Sequence, residues 1–581
     1  MFNLSKQTTS RLLLLITLLS FWLRVWGIQF GLPFAYHPDE QQYILPAIGV
    51  IQGNFQPLAH YNPALYPYFI GLIYSLIYYS FQLIGLNSHL LQLDWSPAIS
   101  PWTAFWIYLA RYITASVGVL TMLMVYHLGR RAYNRLTGIG AAWFFAVTFL
   151  PTREAHFAVN DAPVALMVAL TLYLCIPILR RAQWQDSLKI GLALGLAAAT
   201  KYSAGLLAVP IGVAYLLGFI FPHPNPLPKG EGVIISPLPK GEGAGVRVSP
   251  WERVGVRALH LLMVGPVALL TYALASPYTF IQWDKFKANF SENLESARVG
   301  FQGLDLDPSG GAIFYLKGLV WGLGGPFMLL TLIAILYLLW RRRPIDLFML
   351  TFPLFGFFYM QRQEMYFVRW LMPFIPSLCV ITAEGVRVSS SHLMTLSHQV
   401  TLQKQRAPVI FVVICGLIAM PSMATAMYAD YIFSQPDTRS QALQWISNNI
   451  PINSGLAAEV LSPPWGPPLA MPGLDIGPYR FAPVPSGGVA ELSPEQYRAW
   501  GVEYVVASSF HYNRPLRDKA HQAQLAANMT SLAAQADLVA TFTPYQADYQ
   551  GYFYHDQLFG PANDTWQRQQ PGPIILIYHL R

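Results

Sequence analysis

The stretch "ARYITASVGVLTMLMVYHLGRRAYN", Ala110 to Asn134, decides the fold. It is an apolar run that stops on Arg130 and Arg131, and about 20 such residues are enough to cross a bilayer as a helix. Positive charge just past an apolar run marks the cytoplasmic side, so this helix runs inward. The same punctuation recurs at Arg180 and Arg181, at Arg341 to Arg343 and at Lys404 to Arg406, while Lys6 and Arg11 put the N-terminus on that side too. Of 581 residues, 54% are hydrophobic and only 11% charged, where soluble domains carry roughly 25% charged residues. The chain is therefore expected to be an α-helical polytopic membrane protein. Its formal net charge of +8 sits at the ends of apolar runs and forms no stripe, so nucleic acid is not an expected partner.

Working outward from this helix, the charge clusters are satisfied by about eleven spans: 12–30, 104–128, 136–152, 162–179, 187–200, 203–221, 257–277, 312–340, 345–360, 371–386 and 408–428. Residues 31–103 then form one large outer loop. Within it, "YNPALYPYFIGLIYSLIYYSFQLIGL" is apolar enough to span, but a crossing there would put the Arg130 cluster outside. It is expected instead as an aromatic-rich helix in the outer interface. The N-terminal run imitates a signal peptide, yet Arg24 interrupts it and no small-residue cleavage site follows, which predicts a retained first helix. Cys175, Cys379 and Cys415 all lie in apolar runs and make no disulfide framework.

Residues 1–430 are thus read as a membrane domain, with a cytoplasmic insert at 222–256 in which "PLPKGEG" occurs twice, from Pro226 and from Pro237. Two Pro- and Gly-rich copies build no packed core. Residues 431–581 change character. "SPEQYRAWG" opens on Ser493 as N-cap with Gln496 as its box partner, and "VEYVVASS", "DLVATFTPY" and "PIILIYHL" are β-rich. This predicts a C-terminal α/β domain on the extracytoplasmic face of the plasma (inner) membrane, with the N-terminus cytoplasmic.

The unusual polar residues fall on that same outer side. They are His37, Asp39 and Glu40 after the first span, His156, Asn160 and Asp161 between the third and fourth, Lys201 after the fifth, and Glu364 and Arg369 between the ninth and tenth. Ionisable groups at membrane depth are costly and mark functional sites. Each has a plainer reading taken alone: Asp39 and Glu40 solvating a helix end, Asp161 favouring a helix N-terminus, Lys201 snorkelling, Arg369 pairing with Glu364. Together, Lys201 and Arg369 could hold a phosphate whose tail lies in lipid. A nearby carboxylate, Asp39, could take a proton from an incoming hydroxyl. Glu40 is adjacent and points elsewhere, so it orients the base or binds a cation. That layout suits transfer of a sugar from a lipid phosphate to an acceptor.

The order "HPDE", "YNPALYPY", "ARYITASVGVLTMLMVYHLGRRAYN", "HFAVNDAPVALMVALTLYL", "GLALGLAAATKYSAGLLAVP", "FVRWLMPFIP" resembles the GT-C class of membrane glycosyltransferases, nearest to the family-39 protein O-mannosyltransferase and aminoarabinose-transferase type, over residues 12–430. The resemblance implies inverting transfer from a polyprenyl-phosphate sugar in the outer loops. It puts the first-loop acid at Asp39 with Glu40 beside it and the second acid at Asp161. The phosphate-contacting cations fall on Lys201 and Arg369, and His37 and Asn62 line the pocket. The chain departs from the aminoarabinose type in having "TKYSAG" where that type has "TKG", which leaves sugar and acceptor (protein, lipid or glycan) open. No obligatory metal is expected, because no dedicated ligand spacing is present; His37, Asp39 and Glu40 are the set that could ligate a divalent ion. The rival readings are a transporter or lipid flippase that uses the outer charges as a gate, and an adhesion or sensing protein whose tail does the work.

Overall fold

A computed structural model describes residues 5–32, 34, 36–85, 101–180, 182–221, 250–300, 304, 309–395, 400–459, 479–485, 487–547 and 555–581, of which 101–103, 250–254, 391–395 and 400–407 are described in backbone only. The repeat-containing part of the 222–256 insert lies outside the described residues. A helix occupies each of the eleven expected spans: α1 (Lys6–Val25), α4 (Pro101–Ala132), α5 (Arg135–Val147), α7 (Asp161–Cys175), α8 (Trp184–Thr200), α9 (Ala208–Ile220), α10 (Pro250–Ala275), α13 with α14 (Gly311–Leu323, Gly325–Arg341), α15 (Pro344–Met360), α16 (Ile375–Thr395) and α17 (Val400–Phe433). Between them lie α2 (Gln41–Ile51), α3 (Leu65–Leu83), α6 (Phe149–Glu154), α11 (Tyr278–Ile281) and α12 (Trp283–Val299).

Local chemistry explains the boundaries. Ser5 caps α1, its side chain accepting from the Thr8 N–H at 3.0 Å. Asn134 caps α5 by accepting from Leu136 and Thr137 at 2.9 and 3.1 Å, turning the chain straight back after α4. Gly129 and Gly138 let those two helices touch, since a Cβ on Gly129 would sit 3.1 Å from the Gly138 Cα. Apolar side chains also face outward: Leu262, Leu269, Leu270 and Leu274 on α10 are all at least 61% exposed, as on a helix that faces lipid.

The span expected over 312–340 needs correction. It is two helices, α13 and α14, bent by 117° at Gly324, which has φ +89. The sequence Gly324-Gly325-Pro326 explains it: glycine tolerates positive φ, and the proline in the first turn of α14 donates no N–H to continue α13. The count is also lower than eleven by length. Among the described residues seven helices are long and apolar enough to cross a membrane, or eight if the bent pair is one span. Arg135–Val147 and Pro344–Met360 are shorter apolar helices. The segment after α10, expected as an outer loop, holds the 17-residue α12.

Charge closes one end of the bundle. Arg341 meets Asp346 at 2.5 Å and Glu384 at 2.9 Å, Arg387 meets Glu384 at 2.8 Å, and Tyr133 donates to Asp346 at 2.9 Å. At the opposite end, α2 and α3 pack together and then on α4, the Tyr66 hydroxyl 2.5 Å from that of Thr114. A second apolar core forms there from residues including Phe30, Tyr43, Ile44, Tyr66, Trp106, Phe157 and Phe433.

The C-terminal segment starts with α18 (Thr438–Asn449), capped by Asp437. A five-stranded sheet follows in the order β2-β1-β3-β5-β4, built from β1 (Gly455–Ala458), β2 (Arg480–Phe481), β3 (Tyr504–Ser508), β4 (Ala536–Phe542) and β5 (Ile575–Leu580). β2, β1 and β3 run parallel, whereas β5 is antiparallel to both β3 and β4. α19 (Pro494–Ala499) carries the capping box between Ser493 and Gln496, and two apolar clusters line the sheet. This segment docks on the α2 end of the bundle. The Tyr36 hydroxyl is 2.9 Å from that of Ser440, and the Arg439 guanidinium lies 3.8 Å from the Tyr36 ring centre.

Candidate functional site

Two adjacent acids at the start of α2 take opposite roles. Glu40 is fully buried, and Arg111 of α4 clasps both its oxygens at 2.7 Å. The same guanidinium donates to the carbonyls of Ile28 and Phe30 at 2.9 and 2.6 Å, and Glu40 accepts in addition from the Ala158 N–H at 2.9 Å. Four segments are thereby pinned to one carboxylate. Asp39 turns the other way, to Arg369, whose Nη1 donates to its Oδ2 at 2.7 Å. Its side chain is 29% exposed, against 0% for Glu40 and 3% for Asp161, so Asp39 is the accessible acid of the three.

Asp161 opens α7, and Lys201 follows α8 with an extended backbone; the ammonium meets the carboxylate at 2.5 Å. The two pairs share one neighbourhood. Arg369 interacts electrostatically with Asp39, Asp161 and Glu154 together. Tyr43 on α2 is held well above its ordinary phenol range by burial and then by the charges of Asp161 and Asp39. Asn160 donates to Asn62 at 3.1 Å and to the Thr200 carbonyl at 2.9 Å, linking the first loop to the end of α8. The structure thus brings Asp39, Asp161, Lys201, Arg369, Asn160 and Asn62 to one place.

The remaining candidates sit differently. His37 is buried beside Phe157 and Phe559, its Nδ1 accepting from the Asp39 N–H at 3.2 Å. Burial, followed by the charges of Arg369, Arg153 and Arg111, pushes its imidazole well below the usual range, so it shapes the turn as a neutral ring. His156 lies against α1 and α17, its ring nitrogens 2.9 Å from the Thr152 and Trp26 carbonyls and Nε2 3.4 Å from Asp430; burial pushes it down to about 4. Glu364 does not pair with Arg369. It is half-exposed and accepts from Arg517 of the C-terminal domain at 2.9 Å. Among the described residues no three His, Cys, Asp or Glu side chains cluster as a metal site.

Sequence reading missed several residues here. Arg111 stands inside an apolar run, and a charge at that depth was itself the signal for a partner. Arg153 and Glu154 form a buried pair beside the site, burial pushing Glu154 up to about 7. Asp556 and Phe559 arrive from the C-terminal domain and carried no signal.

Residues 105–229 match the family model described as dolichyl-phosphate-mannose-protein mannosyltransferase. No curated protein matches the chain by sequence. Among solved structures, the chain is similar to the apo oligosaccharyltransferase of Archaeoglobus fulgidus, with 13% identity, a TM-score of 0.52, and coverage of 96% of this chain and 77% of that one. The archaeal oligosaccharyltransferase AglB from the same organism, in complex with an inhibitory peptide and a dolichol-phosphate, aligns at 13% identity and TM-score 0.50 over 90% of this chain and 71% of that one. ArnT from Cupriavidus metallidurans, bound to undecaprenyl phosphate, aligns at 13% identity and TM-score 0.48 over 99% and 98%. The fold is that of a multi-pass GT-C membrane protein. Over residues 105–229 the chain is similar to the protein mannosyltransferase family, the direction in which its motif order pointed.

Proposed function

We propose that the protein transfers a sugar from a polyprenyl-phosphate donor to an acceptor at the extracytoplasmic face, with inversion and with Asp39 as general base. The observation that carries this reading is the meeting of two carboxylate–cation pairs, Asp39–Arg369 and Asp161–Lys201, at one end of the bundle, with Asp39 the accessible acid. The matched mannosyltransferase family model and the dolichol-phosphate in the AglB complex support a lipid-phosphate donor.

Donor binding brings a phosphate to the two cations: Arg369 exchanges Asp39 for it, while Lys201, with three N–H donors, keeps Asp161 and turns another donor to the phosphate. Asp39 is then free to accept a proton. The acceptor oxygen attacks the anomeric carbon, and its proton passes to the Asp39 carboxylate. The bond from that carbon to the phosphate oxygen breaks, and the lipid phosphate leaves with its developing charge held by Arg369 and Lys201. Attack opposite the leaving group inverts the anomeric centre. Asp161 aims Lys201, and Glu40 holds the Asp39 turn through Arg111. The route uses no metal, so turnover is expected to survive a chelator.

The test is release of free lipid phosphate by purified protein in detergent, offered a panel of polyprenyl-phosphate sugars with a cell-envelope extract as acceptor source. Release with one donor supports the reading and identifies the sugar. Folded protein that turns over none of them overturns it.

A further inference from the structure

We infer that Asp556 and Phe559 of the C-terminal domain are positioning residues for the Arg369–Asp39 pair, so that this domain completes the reacting site; the inference rests on the function proposed above. Both lie on the short 3₁₀ helix His555–Phe559, every residue of which is buried. The two Asp556 carboxylate oxygens each accept from the Val368 N–H at 3.1 Å, and Oδ1 also accepts from the Arg369 N–H at 3.4 Å. The backbone that carries Arg369 is therefore held at that residue. The Phe559 ring fixes the side chain, its centre 4.3 Å from the guanidinium carbon, with Phe367 at 4.8 Å.

The same ring reaches the other half of the pair. Phe559 lies 4.9 Å from the His37 ring, and His37 accepts from the Asp39 N–H. Arg153 in turn anchors the segment, donating to the carbonyls of Asp556 at 2.7 Å and Pro561 at 2.6 Å. Docking alone does not call for a carboxylate here. Phe510, Leu558, Phe559 and Phe367 already form an apolar contact between the domains, and a buried carboxylate is costly unless it is paired and hydrogen-bonded. What Asp556 adds is the location of one piece of backbone, the piece bearing Arg369.

The experiment is a double-mutant cycle in the full-length protein. Asp556→Asn and Phe559→Leu are made alone and with Arg369→Ala, and kcat, donor KM and the thermal unfolding midpoint are measured for each. Small misplacement of a reacting group costs on the order of 10² in rate. Each single variant should lower kcat about tenfold to a hundredfold in protein that stays folded, with only a modest fall in midpoint, and neither should lower kcat further once Arg369 is alanine. Losses that multiply with that of Arg369→Ala overturn the inference. So do single variants with full kcat, and so does loss of folded protein in both, which assigns the residues to structure alone. Wild type that turns over no donor refutes the proposed function instead. The same cycle is then read on affinity for undecaprenyl phosphate, where weakening that vanishes in the Arg369→Ala background supports the inference, and an independent effect or none overturns it.

Discussion

Removing the Arg111 guanidinium should destabilise the membrane domain more than any loop substitution at the site. In Arg111→Met, Glu40 keeps only the Ala158 N–H, and the Ile28 and Phe30 carbonyls lose their donor. Breaking a buried ion pair by removing one partner costs about 3–5 kcal/mol, and each carbonyl left unpaired about 1–3 kcal/mol, partly recovered by relaxation. The expected loss is therefore about 5 kcal/mol. Glu40→Gln keeps one oxygen for the Ala158 N–H and Arg111 Nε but turns an amide NH2 toward Arg111 Nη2 and leaves the buried guanidinium without a counter-charge, so it too should cost about 3–5 kcal/mol. Replacing both partners by apolar residues, Glu40→Leu with Arg111→Met, should cost less than Arg111→Met alone, because no buried charge remains. The assay is SDS titration of the protein in mixed micelles, followed by tryptophan fluorescence. A loss below about 1 kcal/mol for Arg111→Met, or a double variant worse than the sum of its singles, would refute the reasoning. Glu40→Gln should also retain most of its kcat where the protein stays folded, since Glu40 holds the turn and touches no substrate.

Three further outcomes are expected. Lys201→Met should lower kcat/KM for the donor by about 10²–10³, as for loss of one donor to a developing oxyanion, and should also lower the unfolding midpoint, because the buried Asp161 carboxylate loses its cation. Gly324→Ala should destabilise the bend between α13 and α14 by about 1–2 kcal/mol, read by the same SDS titration, because φ there is +89. In the C-terminal domain, burial pushes Glu459 up to about 8 despite its bonds from the Val489 and Ser508 N–H groups. A folded pKa above the unfolded one gives stability that is complete below about pH 4.5 and is lost as pH rises toward 8. Denaturant unfolding at pH 5 and pH 8.5 should show that loss, and Glu459→Gln should flatten it.

Much of this was legible in the sequence because membranes make polarity expensive. Charges at the ends of apolar runs set the order of the spans, and Asp39, Asp161, Lys201 and Arg369 stood out as ionisable groups at membrane depth. Which partnered which was not legible. Asp39 and Arg369 are 330 residues apart, and only the folded bundle joins them. The near neighbour Glu364 looked the simpler partner but reaches Arg517 instead. Two signals were present and unread: Arg111 within an apolar run, and Gly324-Gly325-Pro326 as the break in a span. Asp556 had none, because "HDQLF" reads as any polar turn until the C-terminal domain is docked.

The most direct test of the account is lipid-phosphate release by Asp39→Asn against wild type, using whichever polyprenyl-phosphate sugar the wild type accepts. Asparagine keeps the shape and an oxygen for Arg369 but cannot take the proton. The account predicts a fall in kcat of about 10² or more with the fold intact, the scale of a lost general base. Release at the wild-type rate would contradict it and move the base to another carboxylate, Asp161 first.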